Sequence, residues 1–388
     1  MNQAPPHALV DSADAWAAAA TAIAAAGEIA LDVEADGFHR YPEQVALLQV
    51  ALPDGATHLI DPLALPDLHV LGEVLARSDV PKVLHSASYD VRALHRDLGF
   101  VIHGLFDTSI AAQFCGSRRT GLANVLAEFL GLDVDKPKHL QRMDWSRRPL
   151  PPEAIAYAAE DVAHLLELKR ELIDRLTTLG RLDWVHEECR RQEDVRYEAP
   201  DPPEVAFLAV RGARELSDAE RALLREIFVW REAEAVRIGR PPHRVMSADA
   251  MLYLAENPES AVDQLHGSDR RLLGRTSTRA RLAAALARGK AAEPIPWPRR
   301  NTVNPWTPLS RARLAKLKAW RTAEAEALDL DAGTIWSAPH LDQVALNPQS
   351  PSGALDNGDP PWVRRWQWAT LGEALARFRR EGLGDAVG

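Results

Sequence analysis

Two hydrophobic rhythms share the chain. Residues 15–26 are alanine-rich and close at Gly27, which reads as a first helix. Residues 28–34, 45–51 and 57–60 are short apolar runs that read as strands. No long helix separates these three runs, so they predict an antiparallel meander. Lys82-Val83-Leu84 predicts a further strand, followed by a loop and a helix with Asp90 in its first turn that reaches about Arg96. Pro151 and Pro152 suit the opening of another helix, whose apolar stripe runs through Ile155, Val162, Leu165, Leu166, Leu172, Ile173 and Leu176. That helical pattern runs out near Trp184–Cys189, and EAPDPPE (198–204) reads as a linker.

Beyond the linker the pattern repeats itself. Aligning 230–258 with 320–348 without gaps gives ten identities in twenty-nine positions, among them Trp230/Trp320, Arg231/Arg321, Ser247/Ser337 and Asn257/Asn347. Average composition would give roughly two, so duplication is the better account. Each copy reads as a helix ending in Trp-Arg-x-Ala-Glu-Ala, a loop, a short helix and Asn-Pro. Trp230 and Trp320 read as core residues rather than base-stacking platforms. Arg299 and Arg300, just after Trp297, sit in the connector, where either phosphate contact or plain solvation would account for them.

Polar residues that interrupt the apolar runs carry the chemistry. In LDVEADG (31–37), Asp32 and Glu34 are one residue apart on a predicted strand and so share a face. Two carboxylates on a buried face repel and resist desolvation unless a cation lies between them. A strand ending at Val33 would instead leave both in a solvated turn beside Gly37. Tyr157 and Asp161 are four apart and share one face of their helix. A phenol there can orient a water, but with an ordinary pKa near 10 it is no general base at neutral pH. Asp90 suits a helix first turn on dipole grounds alone.

Taken together, LDVEADG, HSASYD (85–90) and YAAED (157–161) resemble the three exonuclease motifs of the DEDD superfamily, in particular the ribonuclease D family. Connecting segments agree too, notably MDWSRRPLPPEAIAYAAEDVAHLLEL (143–168), and the resemblance covers roughly the first half of the chain. Tyr157 stands four before the last acid, whereas Ala156 occupies the place of the histidine subclass, so the tyrosine subclass fits. The resemblance implies an α/β ribonuclease H-like domain with a mixed sheet flanked by helices over 1–197, then a linker over 198–210. It implies that Asp32, Glu34 and Asp161 hold one divalent ion, that Asp32 touches a second and Asp90 reaches it through water, and that Tyr157 orients the nucleophile. Oxygen ligands without thiolates point to Mg²⁺ or Mn²⁺. Gln49 and His85 fall where the family lines its substrate groove. The repeat resembles the HRDC domain, a small helical bundle, over 211–298 and, with an insertion at 351–362, over 299–388.

Composition bounds the rest. With 388 residues, 46% hydrophobic and 26% charged, the chain should fold as two or three ordinary globular domains. A net charge of −9 excludes a general nucleic-acid coat, so binding would need a local basic strip. Lys136, Lys138, Arg142, Arg147 and Arg148 supply a candidate, which a solvated basic loop explains equally. Cys115 and Cys189 form no metal spacing or disulfide framework, which suits a reducing cytoplasm. The alanine run lacks a basic leader and is too short to span a bilayer. The expected partner is RNA with a free 3′ end, such as a tRNA precursor or another small RNA, acted on by a monomer away from membranes. Single-stranded DNA as substrate, and a non-catalytic nucleic-acid binder on a nuclease scaffold, are the alternatives.

Overall fold

The computed structural model describes residues 6–259, 276–298, 305–347 and 363–381. Arg299, Arg300, Pro348 and the insertion at 351–362 lie outside them. The first half is a six-stranded sheet with helices around it. Its strands are β1 (His7–Val10), β2 (Ile29–Ala35), β3 (Val45–Ala51), β4 (Thr57–Ile60), β5 (Lys82–Leu84) and β6 (Leu105–Asp107), in the order β1-β4-β3-β2-β5-β6. The meander β2-β3-β4 is antiparallel as expected, while β1 joins β4, and β5 and β6 join β2, in parallel. Edge strands β1 and β6, of four and three residues, are too short for periodicity to show them. The central β3, VALLQVA, is buried at every position because both of its faces are covered.

The helices of this half are α1 (Ala13–Ala25), α2 (His69–Ala76), α3 (Ser88–Leu98), α4 (Thr108–Phe114), α5 (Leu122–Leu130), α6 (Lys138–Gln141), α7 (Pro152–Ala163), α8 (Leu165–Leu179) and α9 (Leu182–Glu193). In the sheet register Asp32 lies opposite Gln49, Glu34 opposite Leu47, and Gln49 opposite Leu59, so these five side chains share one face. Leu47 and Leu59 pack with Ala154, Ala158 and Ala159 of α7, together with Trp145 and Leu150. The alanines let α7 lie close on that face, and this brings Tyr157 and Asp161 over the strand acids.

The second half is helical, and its duplication extends from sequence to element boundaries. Helices Asp218–Ile238, Pro242–Val245 and Ala248–Glu256 recur as Pro308–Ala327, Ala332–Ile335 and Ala338–Leu346, with every start displaced by 90 residues. Thr276–Ala291 and Arg365–Glu381 close the two units. The N-caps repeat as well, Ser217 with Thr307 and Ser247 with Ser337. Trp230 and Trp320 are both buried in helical cores. Phe207, in the stretch read as linker, is 1% exposed within the first unit's core.

The two units meet the nuclease half differently. The first has its own core and touches the sheet domain through the Tyr41 hydroxyl, which donates to Glu232 at 2.9 Å. The second shares one continuous core with it. Trp366 stacks on Trp184 at 4.7 Å and meets Phe114 edge-on at 5.1 Å. Glu187 accepts from the main-chain N–H groups of Arg365 and Trp366, capping the last helix from another part of the fold. Glu188 accepts from the indole of Trp366 and the guanidinium of Arg364. Among the described residues no helix is long and apolar enough to cross a membrane.

Trp366→Ala is expected to cost about 3–5 kcal/mol of that docking. Limited proteolysis should then cut within Arg365–Glu381 well before the sheet domain, in contrast to the wild-type chain.

Candidate active site

β2 runs on to Ala35, so both of its acids belong to the strand rather than to a solvated turn, and its pairing with β3 shifts register between Glu34 and Ala35. α7 opens at Pro152 and carries Asp161, 7% exposed, to the same place. One ligand atom from each of Asp32, Glu34 and Asp161 lies within 4.8 Å of the others. They floor a cleft of about 380 Å³ whose walls include His85, Gly121, Asn124, Lys136, Gln141 and Tyr157. Asp90, 6% exposed at the start of α3, stands outside this trio yet repels both Asp32 and Glu34.

The electrostatics show how unfavourable this gathering is without a cation. Burial pushes Asp32 up to about 6, against the pull of Lys136. Glu34 rises well above the usual carboxylate range through burial and then the charges of Asp32 and Asp90. Asp90 rises through burial, Asp32 and Asp107. The Tyr157 hydroxyl is pushed up by burial and by Glu34 and Asp32, so it stays protonated at neutral pH. Lys136 is lowered to about 8 by burial although the acids around it work the other way. Three clustered carboxylates without thiolate or imidazole form a hard oxygen donor set, which fits a divalent cation.

A second layer holds these groups in place. Asp107 caps α4 by accepting from Ser109 and Ile110 N–H, and also accepts from Ser86 N at 2.9 Å and Ala87 N at 2.8 Å. It thereby fixes the turn that leads into α3 and Asp90, where Ser86 adopts a left-handed φ of 62°. His85 reaches the cleft wall, with its ring nitrogens 2.8 Å from Thr108 Oγ1 and the Thr120 carbonyl.

The remaining predicted substrate residues scatter. Gln49 is fully buried opposite Asp32, and neither polar atom of its amide has a hydrogen-bond partner in the protein. Arg148 turns inward as a brace, donating to Asp61 at 2.5 Å, to the Ala46 carbonyl at 2.8 Å and to the Trp145 carbonyl at 2.6 Å. This pins the 143–150 segment to β3 and β4 and keeps Arg148 off the cleft wall, in place of the substrate contact expected from the sequence. Arg147 beside it is exposed and also off that wall. Sequence reasoning missed Gln141, which bonds Tyr157, and Asn124 at the start of α5. It also missed Asp107, and it did not single out Phe38, which is 59% exposed four residues after Glu34 though not part of the cleft wall. An exposed phenylalanine is the one signal among these, and nothing local separates it from a core residue.

This fold and cleft define a nuclease of the 3′-5′ exonuclease class, whose family description matches residues 8–177. Ribonuclease D of Gluconacetobacter diazotrophicus is 32% identical over 90% of this chain and 86% of its own. Ribonuclease D of Granulibacter bethesdensis is 30% identical over 96% and 92%. The chain belongs to the ribonuclease D family. The crystal structure of Escherichia coli RNase D, described as an exoribonuclease involved in structured RNA processing, superposes with a TM-score of 0.69. It has 27% identity and covers 97% of this chain and 98% of that one.

Because the folded chain holds the Asp32 proton more tightly than the unfolded chain does, this group lowers stability as pH rises from about 4 to about 6. Asp32→Asn should therefore stabilise chelator-treated protein at pH 7.5, by on the order of 1–3 kcal/mol. The gain should vanish below pH 4, as thermal melts across that range would show.

Proposed function

We propose that the protein hydrolyses RNA from its 3′ end, releasing 5′-mononucleotides one at a time, with two divalent ions, Mg²⁺ or Mn²⁺, in the cleft. The observation that carries this reading is the convergence of Asp32, Glu34 and Asp161 from β2 and α7 in a chain of the ribonuclease D family. Asp32, Glu34 and Asp161 would hold one ion, and Asp32 the other, which Asp90 would reach through water. Ions held there would stabilise the attacking and leaving oxygens of an in-line displacement at phosphorus. Tyr157, kept protonated by its surroundings, positions the attacking water by hydrogen bonding. Water adds at the terminal phosphorus, the bond to the 3′ oxygen of the preceding nucleotide breaks, and that oxygen takes a proton. Phe38, exposed and four residues after Glu34, offers an aromatic face on which a base of the RNA can stack.

The assignment of 1–197 to catalysis and of the helical units, 211–298 and 299–388, to HRDC domains is part of the same proposal. The repeated helix boundaries and paired caps support two copies of one module. Two modules on one chain raise the effective concentration of a bound RNA at the cleft, which favours structured substrates with a 3′ overhang, such as tRNA precursors. A monomeric, cytoplasmic enzyme accords with this role.

Asp161→Asn is expected to lower kcat/KM on a labelled oligoribonucleotide by at least about 10³-fold and Tyr157→Phe by about 10²–10³-fold, with RNA binding retained. A chelator should stop release of mononucleotides, and added Mg²⁺ or Mn²⁺ should restore it. Full activity in Asp161→Asn, or faster digestion of the matched deoxyribonucleotide, would reject the assignment.

A further inference from the structure

The chain between α5 and α6 is irregular. Gly131 takes a left-handed φ of 67° and ends α5, and residues 132–137 form neither helix nor strand. The one lysine on this segment turns inward. Its ammonium pairs with Asp161 Oδ1 and lies 5.1 Å from the centre of the Tyr157 ring, and 15% of its side chain is exposed. Asp32 and Glu34 attract it as well. A monovalent cation of the protein's own thus contacts one carboxylate of the oxygen donor set and is attracted by the other two.

An ammonium and a divalent ion cannot both occupy the Asp161 oxygen, because like charges at ligand distance repel strongly where water screens them poorly. Ligand and lysine therefore compete for Asp161. Lysine is suited to exchange: its charge is compact and sits on a flexible four-carbon stem, and irregular backbone around it leaves no element to melt when it moves. Once displaced, it remains in the cleft wall, where an entering phosphodiester is the anion left to neutralise.

We propose that Lys136 is an exchangeable counter-cation, which neutralises Asp161 until a divalent ion takes that carboxylate and then moves to the phosphate of the RNA 3′ end. The inference rests on the metal-dependent nuclease reading above. It makes ion loading and substrate capture sequential, since the lysine becomes available to RNA only after the ion has arrived.

The test is titration of the full chain with Mn²⁺, followed by the electron paramagnetic resonance of the free ion, on wild type, Lys136→Met, Lys136→Gln and Asp161→Asn. If the lysine occupies Asp161 about nine-tenths of the time, its removal tightens Mn²⁺ binding about tenfold. In chelator, both Lys136 variants should melt below wild type, and saturating Mn²⁺ should raise their Tm by more than it raises the wild-type value. At saturating Mn²⁺ their KM for RNA should rise more than their kcat falls. Unchanged or weaker Mn²⁺ affinity in both Lys136 variants overturns the counter-cation role and leaves the metal site standing. Wild-type Mn²⁺ affinity in Asp161→Asn instead overturns the metal-site reading and this inference with it.

Discussion

Three carboxylates, two half-buried and one buried, whose ligand atoms approach within 4.8 Å in a cleft repel one another and lose part of their hydration. Burial and mutual repulsion accordingly raise the proton affinities of Asp32 and Glu34, and of Asp90 beside them. A fold relieves this repulsion by spreading the acids, by protonating them or by supplying a cation. Here the acids sit on regular elements, a strand and a helix, which do not spread without breaking the sheet register or lifting α7. The architecture therefore stores a demand for positive charge, met in part by Lys136.

Holding that arrangement requires stiffness around it, and the surrounding residues supply it by ordinary packing. Ala154, Ala158 and Ala159 seat α7 on Leu47 and Leu59. Trp145, 1% exposed, fills the space beside them and approaches the Tyr157 ring at 6.2 Å. Arg148 fastens the preceding segment to Asp61 and Ala46, and Asp107 fastens the turn ahead of α3. Each of these contacts lies one step behind a cleft residue. Preorganisation of this kind keeps the acids from relaxing apart, and it is why a site made of common side chains still demands a particular fold.

Much of this was readable from the chain because strand alternation and helix periodicity are local. A one-residue spacing put Asp32 and Glu34 on one face, and a four-residue spacing did the same for Tyr157 and Asp161. The three-strand meander followed from uninterrupted apolar runs. What stayed hidden is non-local. Gln49 and Arg148 lie in the right segments, yet the direction of one side chain and the internal acceptors of the other depend on β3, β4 and the 143–150 segment meeting in space. Asp107 acts through the turn at Ser86–Ala87, twenty residues earlier, and β6 is too short to betray its place beside β5. Lys136 read as one member of a basic loop, because composition says nothing about which cation turns inward.

The duplicated helical units show how similar sequence is put to different structural use. In the first, buried Glu234 is held by Arg237 and Arg281, which lower its pKa to about 2 and tie the first and last helices together. Its counterpart Glu324, 90 residues on, has Ala327 where the first unit has Arg237. The second unit closes with apolar residues instead, and its last helix presents Trp366 to Trp184 and Phe114 of the sheet domain. An ion-pair network satisfies a unit from within and leaves its outer faces polar. An apolar closure that continues into a neighbour's core gives up that independence for a fixed orientation. The first copy keeps a core of its own, which Tyr41 of the sheet domain joins through its ring and its bond to Glu232, whereas the second shares the core of the sheet domain. Duplication followed by this divergence gives one module that closes on itself and one that completes its core against the sheet domain.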